Sequence, residues 1–398
     1  MKNTFISLLF LSLVFLQACT KDYTSKVYLE NVLNNLEQIK SATYELKIES
    51  WPPGDTVPEF TQYRYNEEYT NLDDTTIGAS YVSFLQKGTT QMKFGYDGNI
   101  RASVNIDSKR IVIDSFNLTK LPFRPVRPPF FNYIKNIIKY ALETNDSISL
   151  KIEDLGDTVY LQLEIFENKP VEFFGKAYYH GSPFVFDDDC SRYEIWIHKS
   201  NDLPFKVLRE QPGDISEQNC SNVELNTIDI KDFVLADYFQ ADYKIVPYRI
   251  GRRTKKSDFL GKKAPDWILK DSDNNSIALK DLKSKVVLLQ FTSVNCGPCK
   301  ASIPFLKQLV TEYDRADFDF VAIEAHAKNS NVLKNYQHRN GFDYKFLMSN
   351  KNLNVLYQIQ VVPVFFILDE NRIIRKVMHG YGKNSSDQKV REAINSMI

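Results

Sequence analysis

The sequence predicts two folded units of different class: a strand-dominated α+β region over residues 26–248 and an α/β unit over residues 258–398. Three observations carry this. The 398-residue chain is long for a single small domain. Its first half holds many short segments of alternating apolar and polar residues, rich in Tyr and Phe, as half-buried strands are. In its second half the apolar run Lys285-Val286-Val287-Leu288-Leu289-Gln290-Phe291 gives way, across two closely spaced cysteines, to a helical period.

The chain opens with Lys2, an apolar run from Phe5 to Leu16, then Gln17, Ala18 and Cys19. A basic start, an apolar stretch shorter than the roughly 20 residues of a spanning helix and a small residue before the cut read as a secretory signal over residues 1–18. Leu16-Gln17-Ala18-Cys19 resembles a bacterial lipobox. That resemblance implies that Cys19 is lipidated and tethers an exported protein to the membrane; the alternative is a plain signal with an incidental Cys19. Thr20 rather than Asp follows the cysteine, which favours the outer over the inner membrane of a bacterial cell envelope, facing the periplasm. An exported lipoprotein meets no nucleic acid, and 50 basic residues balance 50 acidic ones.

Within residues 26–248, Val27, Leu29, Val32, Leu33, Leu36 and Ile39 define an amphipathic helix. Thr43–Glu49 alternates as a strand, and further strands are predicted at Tyr81–Leu85, Arg110–Asp114, Ser147–Glu153, Thr158–Phe166, Tyr193–His198 and Lys206–Arg209. Phe130–Leu142 reads as a helix after the Pro-rich stretch Pro122–Pro129. The opening helix followed by Ser41-Ala42-Thr43-Tyr44, and the pair Tyr193–Lys199 and Asp202–Val207, resemble the LolA/LolB-like half-barrels. That resemblance implies a curved sheet that holds an apolar ligand or a partner protein; a packed spacer between membrane and active site is the alternative. Cys190 and Cys220 are expected to form a structural disulfide in an oxidising exterior, closing a loop of about thirty residues worth roughly 3–4 kcal/mol. A second redox couple is the competing reading. The basic segment 249–257, with Arg249, Arg252, Arg253, Lys255 and Lys256, is either a solvated hinge or a contact for anionic headgroups.

Cys296-Gly297-Pro298-Cys299 lies where the apolar strand ends and the helix marked by Ile303, Leu306, Leu309 and Val310 begins. Two thiols at this spacing exchange two electrons through disulfides. At a helix N-terminus the first, Cys296, ionises readily and attacks; Cys299, one turn in, resolves. Half of a zinc site is the alternative, but no second CxxC or His pair accompanies it, and the five histidines are dispersed. No metal or cofactor is expected beyond the dithiol itself.

The segment 258–398 resembles the TlpA/ResA-type thiol–disulfide oxidoreductases of the thioredoxin superfamily. The resemblance rests on Gly261–Trp267, on Asp271–Leu282, on the CxxC followed by Pro304-Phe305-Leu306, and on Val361–Asp369. It implies a central mixed sheet flanked by helices and a cis-Pro363 facing the CxxC, with the Val362 backbone beside the reactive sulfur. Two positions depart from the family: Asn295 replaces an aromatic residue before Cys296, and Gln290 replaces a buried acid. Glu324 is then either a substitute base for Cys299 or a solvated strand-end charge.

The expected function is an exported, lipid-anchored thiol–disulfide oxidoreductase that reduces disulfides of exported proteins. The resemblance implies recharging by a membrane electron donor of the CcdA/DsbD kind. Gly297-Pro298 is the thioredoxin pattern, which sits near the reducing end of the scale at about −270 mV. The alternative is a lipid- or partner-binding lipoprotein whose redox unit is regulatory.

Overall fold

Alternation in the first half builds one large sheet. The computed structural model describes residues 23–51, 58, 60–89, 91–117, 126–179, 191–211, 214–249, 259–294, 296–327 and 330–398. The signal segment with Cys19, the linker beyond Arg249, Cys190 and Asn295 lie outside the described residues. Helix α1 (Lys26–Glu37) begins where the Ser25 hydroxyl accepts the Tyr28 N–H at 3.2 Å, and it buries Tyr28, Leu29, Val32 and Leu36. Then come β1 (Ser41–Trp51), β2 (Phe60–Thr70), β3 (Ala79–Phe84), β4 (Met92–Tyr96), β5 (Arg101–Asn105) and β6 (Arg110–Asp114). Helix α2 (Phe130–Glu143) is followed by β7 (Ile148–Asp154), β8 (Thr158–Ile165), the hairpin β9 (Val171–Phe173) and β10 (Ala177–Tyr179), β11 (Ser191–His198), β12 (Leu203–Gln211), β13 (Asp214–Leu225) and β14 (Lys244–Pro247).

Twelve strands pair in the order β14-β6-β5-β4-β3-β2-β1-β13-β12-β11-β8-β7. Only the short β14–β6 pairing is parallel, and the two end strands are not bonded to each other, so the sheet is open. Helices α1 and α2 lie on one face, against Tyr44, Leu46, Leu161, Leu163, Tyr193 and Ile195. The apolar part of that face is therefore filled by the chain's own helices. On the other face, Leu235 packs over Val82, Phe84, Met92, Val104 and Ile111, with Phe233 and Tyr238 against the same cluster.

Glu68 seats α2. Pro129, at the helix N-cap, offers no capping side chain. Instead the buried Glu68 carboxylate accepts the N–H groups of Phe131 at 3.1 Å and Asn132 at 2.8 Å, and the Tyr44 hydroxyl at 2.8 Å. An anion thus meets the positive end of a helix dipole; burial nevertheless holds this carboxyl above the usual range. A second close contact is the β9–β10 turn, where Gly175 (φ +80°) would place a Cβ 2.4 Å from both Ile77 Cα and Thr76 O.

The expected Cys190–Cys220 disulfide is corrected here. Cys220 is a free thiol in β13, 8% exposed, packed in the core beneath the helices. Its strand directs it toward the apolar face that includes Tyr44 and Leu46, with Leu46 directly opposite in register. Burial pushes its thiol far above the ordinary cysteine range, with Glu68 adding to the shift.

The second half gives β15 (Ile268–Asp271), β16 (Ser276–Ala278), β17 (Val286–Thr292), α3 (Gly297–Glu312), β18 (Phe318–Glu324) and α4 (Ser330–Asn340). It continues with β19 (Lys345–Met348), α5 (Lys351–Leu356), β20 (Val364–Leu368), β21 (Ile374–His379) and α6 (Ser385–Asn395). Seven strands order as β16-β15-β19-β18-β17-β20-β21, with β17, β18 and β19 parallel and the rest antiparallel. This is a thioredoxin-like mixed sheet. Central β17 is buried on both faces: Val286 and Leu288 meet α3, α4 and α6, while Val287, Leu289 and Phe291 meet Trp267, Leu353 and Tyr357. A continuous apolar run is what such a strand requires.

Candidate functional site

The site lies at the C-terminal ends of the parallel strands. Beyond β17 the chain makes a short loop and enters α3 with Cys296 as its N-cap. Gly297 and Pro298 form the start of the helix, where a proline costs no hydrogen bond. The Cys299 N–H points at the Cys296 sulfur at 3.2 Å, and the two cysteines are disulfide-bonded, with Cα atoms 5.1 Å apart. Cys296 is partly exposed and Cys299 is 2% exposed. Once the pair is reduced, a thiolate on Cys296 receives that N–H and the positive end of the α3 dipole, which favour its ionised form.

The Val362–Pro363 peptide bond is cis, and it sets the Val362 carbonyl oxygen 3.7 Å from the Cys296 sulfur. The Pro363 carbonyl in turn accepts the Gly380 N–H at 2.8 Å, tying the loop to the end of β21. His379, opposite Val364 in register, ends that strand; partial burial lowers its imidazole pKa, which favours the neutral ring. Cys296, Gly297, Pro298, Cys299, Val362 and Pro363 therefore converge at one sheet end.

Two residues singled out in the sequence, Gln290 and Glu324, brace the surroundings of the cysteine pair. Gln290 is buried and donates to Ser302 Oγ at 2.9 Å, and Ser302 donates to the Cys299 carbonyl at 2.7 Å. This chain of contacts ties the first turn of α3 to β17. One turn after Cys299, Pro304 sits inside the helix and supplies no N–H to Lys300 O. Glu324 is not a solvated strand-end charge: it is 0% exposed. Its Oε2 accepts the Val294 N–H at 2.8 Å, and its Oε1 accepts those of His326 at 2.8 Å and Ala327 at 3.0 Å. It clamps the loop leading to Cys296 to the loop leaving β18. The sequence signal for this was a carboxylate ending the apolar run Phe320–Ile323, next to the strand that leads into the cysteines. Among the described residues no cluster of three His, Cys, Asp or Glu side chains is placed to hold a metal, and no helix is long and apolar enough to cross a membrane.

Comparison with known proteins agrees with this geometry. Residues 259–394 match the redoxin family. A thiol-disulfide oxidoreductase ResA from Bacillus cereus is 27% identical over 133 residues, covering 32% of this chain and 73% of the relative. A ResA from Halalkalibacterium halodurans is 30% identical over 122 residues, covering 30% of this chain and 68% of the relative. A crystal structure of a thiol:disulfide interchange protein from Chlorobium tepidum aligns over 35% of this chain and 99% of its own, at 23% identity and a TM-score of 0.31. Through its C-terminal unit, the chain belongs to the ResA-like thiol–disulfide oxidoreductases of the redoxin family.

Proposed function

We propose that this protein is an exported, lipid-anchored reductase of protein disulfides that works through Cys296 and Cys299. The observation that carries the reading is the position of the Cys296 sulfur: first in its helix, partly exposed, and beside the Val362 carbonyl at 3.7 Å. In the reduced protein the Cys296 thiolate attacks one sulfur of a substrate disulfide. A mixed disulfide forms, and the other substrate sulfur leaves as a thiolate. Cys299, ionised as its proton passes to that leaving group or to water, then attacks the Cys296 sulfur. Two electrons have moved to the substrate, its two thiols are free, and the Cys296–Cys299 bond is restored. No hydrogen bond among the described residues uses the Val362 N–H, so an extended substrate segment can take it as an added strand does.

Gly297-Pro298 supports reduction as the physiological direction, and a membrane donor of the CcdA/DsbD kind would return the electrons. Export and anchoring rest on the segment ending in Leu16-Gln17-Ala18-Cys19. The test is reduction of insulin disulfides by the pre-reduced protein. Cys296→Ser is expected to abolish turnover, and Cys299→Ser to accumulate a mixed disulfide with substrate. A potential above about −150 mV, against about −270 mV for thioredoxin, would reverse the direction. In bacterial cells fed labelled palmitate, label is expected on the parent and absent from Cys19→Ala; equal labelling of both removes the anchor from the proposal.

A further inference from the structure

The helix-side face of the large sheet is apolar under α1 and α2 and again where Ile77, Ala79, Tyr96 and Val126 cluster with Tyr81 and Phe116 against them. Between these two apolar areas, around Arg64 and Asn66 of β2, the same face turns polar and cationic. Register places Arg64, Asn66 and Glu68 of β2 on it, with Tyr81 and Ser83 of β3 and Phe94 of β4 beside them. Glu68 is committed to the N-terminus of α2. Two donors next to it are left without acceptors.

Arg64 is half-buried and stands 4.5 Å from the centroid of the Phe94 ring. Its hydrogen bonds all go to one neutral oxygen, Gln62 Oε1, from Nε at 3.0 Å and from Nη2. Both Nη1 hydrogens lack an acceptor, and no carboxylate pairs with this guanidinium among the described residues. The charge that opposes its ionisation is another cation, Arg127, on the segment leading into α2. Desolvation and that like charge lower the Arg64 pKa to about 10. Arg127 makes no ion pair among the described residues either, whereas Arg101, also near Tyr81, is matched by Asp114 at 3.4 Å. Residues 118–125, which join β6 to α2, contain no Asp or Glu and bring no countercharge.

Asn66 supplies the independent observation. It is 6% exposed, its Oδ1 accepts the Ser83 hydroxyl, and its buried Nδ2 has no partner. Buried donors are almost always satisfied, and an unpaired buried charge is costly. An orphaned amide donor two residues from an uncompensated guanidinium on one sheet face is a donor set waiting for an oxyanion.

We propose that Arg64, Asn66 and Arg127 form a binding site for the anionic group, carboxylate or phosphate, of a small ligand, with Tyr81 and Phe94 as its aromatic walls. A guanidinium fork presents paired donors to either oxyanion, and the Asn66 amide adds a neutral one. The occupant is thus defined by its charged end; the apolar half of the face, already filled, offers it nothing.

The test is calorimetric titration of the full chain with inorganic phosphate and, separately, acetate, at ionic strength fixed with sodium chloride. Saturable binding of either anion is expected: phosphate alone identifies a phosphomonoester ligand, acetate alone a carboxylate. Arg64→Met and Arg127→Met should each weaken it at least about tenfold, the loss of one charge-assisted hydrogen bond, with insulin reduction unchanged. Arg127 is exposed, so its variant decides the question even if Arg64→Met fails to fold. Absence of saturable binding by both anions, or undiminished binding in Arg127→Met, overturns the proposal.

Discussion

Glu324→Gln tests whether a buried carboxylate holds the loop that presents Cys296. In the parent, one oxygen accepts Val294 N–H at 2.8 Å and the other accepts two N–H groups from the loop beyond β18. An amide of the same shape has one oxygen. If it keeps the two bonds after β18, its NH2 group faces the Val294 N–H, donor against donor. The lost charge-assisted bond contributes about 1.5–3 kcal/mol, and stranding a buried N–H costs about 1–3 kcal/mol. The two terms overlap, and relief from burying the charge offsets part of them, so the expected loss is roughly 2–4 kcal/mol. For a unit of this size about 3 °C accompanies each kcal/mol, so the midpoint should fall by roughly 6–12 °C. Scanning calorimetry of the oxidised full chain, beside denaturant titration, reads this directly. Insulin reduction should slow as well, because Val294 is two residues from the attacking sulfur. A variant within about 0.5 kcal/mol of the parent, the usual range of an exposed substitution, would refute the clamp.

Cys220 predicts an alkaline dependence. Its folded pKa is raised above the unfolded value of about 8.5, so from there upward the unfolded chain releases a proton the native state keeps, and stability falls with pH. The expected slope approaches about 1.4 kcal/mol per pH unit between pH 8.5 and 10. In denaturant titrations the parent should lose stability more steeply than Cys220→Ala over this range, beyond the fall that the buried tyrosines give both; parallel curves would disprove the burial argument. Gly175→Ala should cost roughly 2–5 kcal/mol, from a side chain at positive φ and from backbone contact at Ile77 and Thr76. A denaturation midpoint unchanged by that substitution would mean the turn relaxes freely.

The redox unit was legible because its determinants are local. A strand buried on both faces reads as a nearly continuous apolar run, and Val286–Phe291 is one but for Gln290; a helix that starts at a CxxC shows its period at once. The large sheet was half legible. Strands such as Thr158–Ile165 alternate cleanly, with Val159, Leu161, Leu163 and Ile165 all buried. Strand β2 was not expected: Tyr65 packs against the Leu235 cluster on one face, while Gln62, Arg64, Asn66 and Glu68 are the side turned toward α2. Glu68 is there to cap a helix more than sixty residues on, a demand no local window contains. The disulfide expectation went wrong for a similar reason. Two spare cysteines suggest a pair, but β13 is too polar to read as a strand, and its register turns Cys220 toward the core. Glu324 looked like surface charge because acids at strand ends usually are; only the neighbouring loop's need for an acceptor explains its burial.

The pairing of β14 with β6 has a mechanical consequence. These four residues are the last ladder the chain makes before it leaves the sheet, they occupy its outermost position, and Ile245 is 57% exposed. A tug transmitted along the chain from the catalytic half would peel this clasp away before it reached the interior. Release of these four residues leaves the other eleven strands of the sheet paired as before.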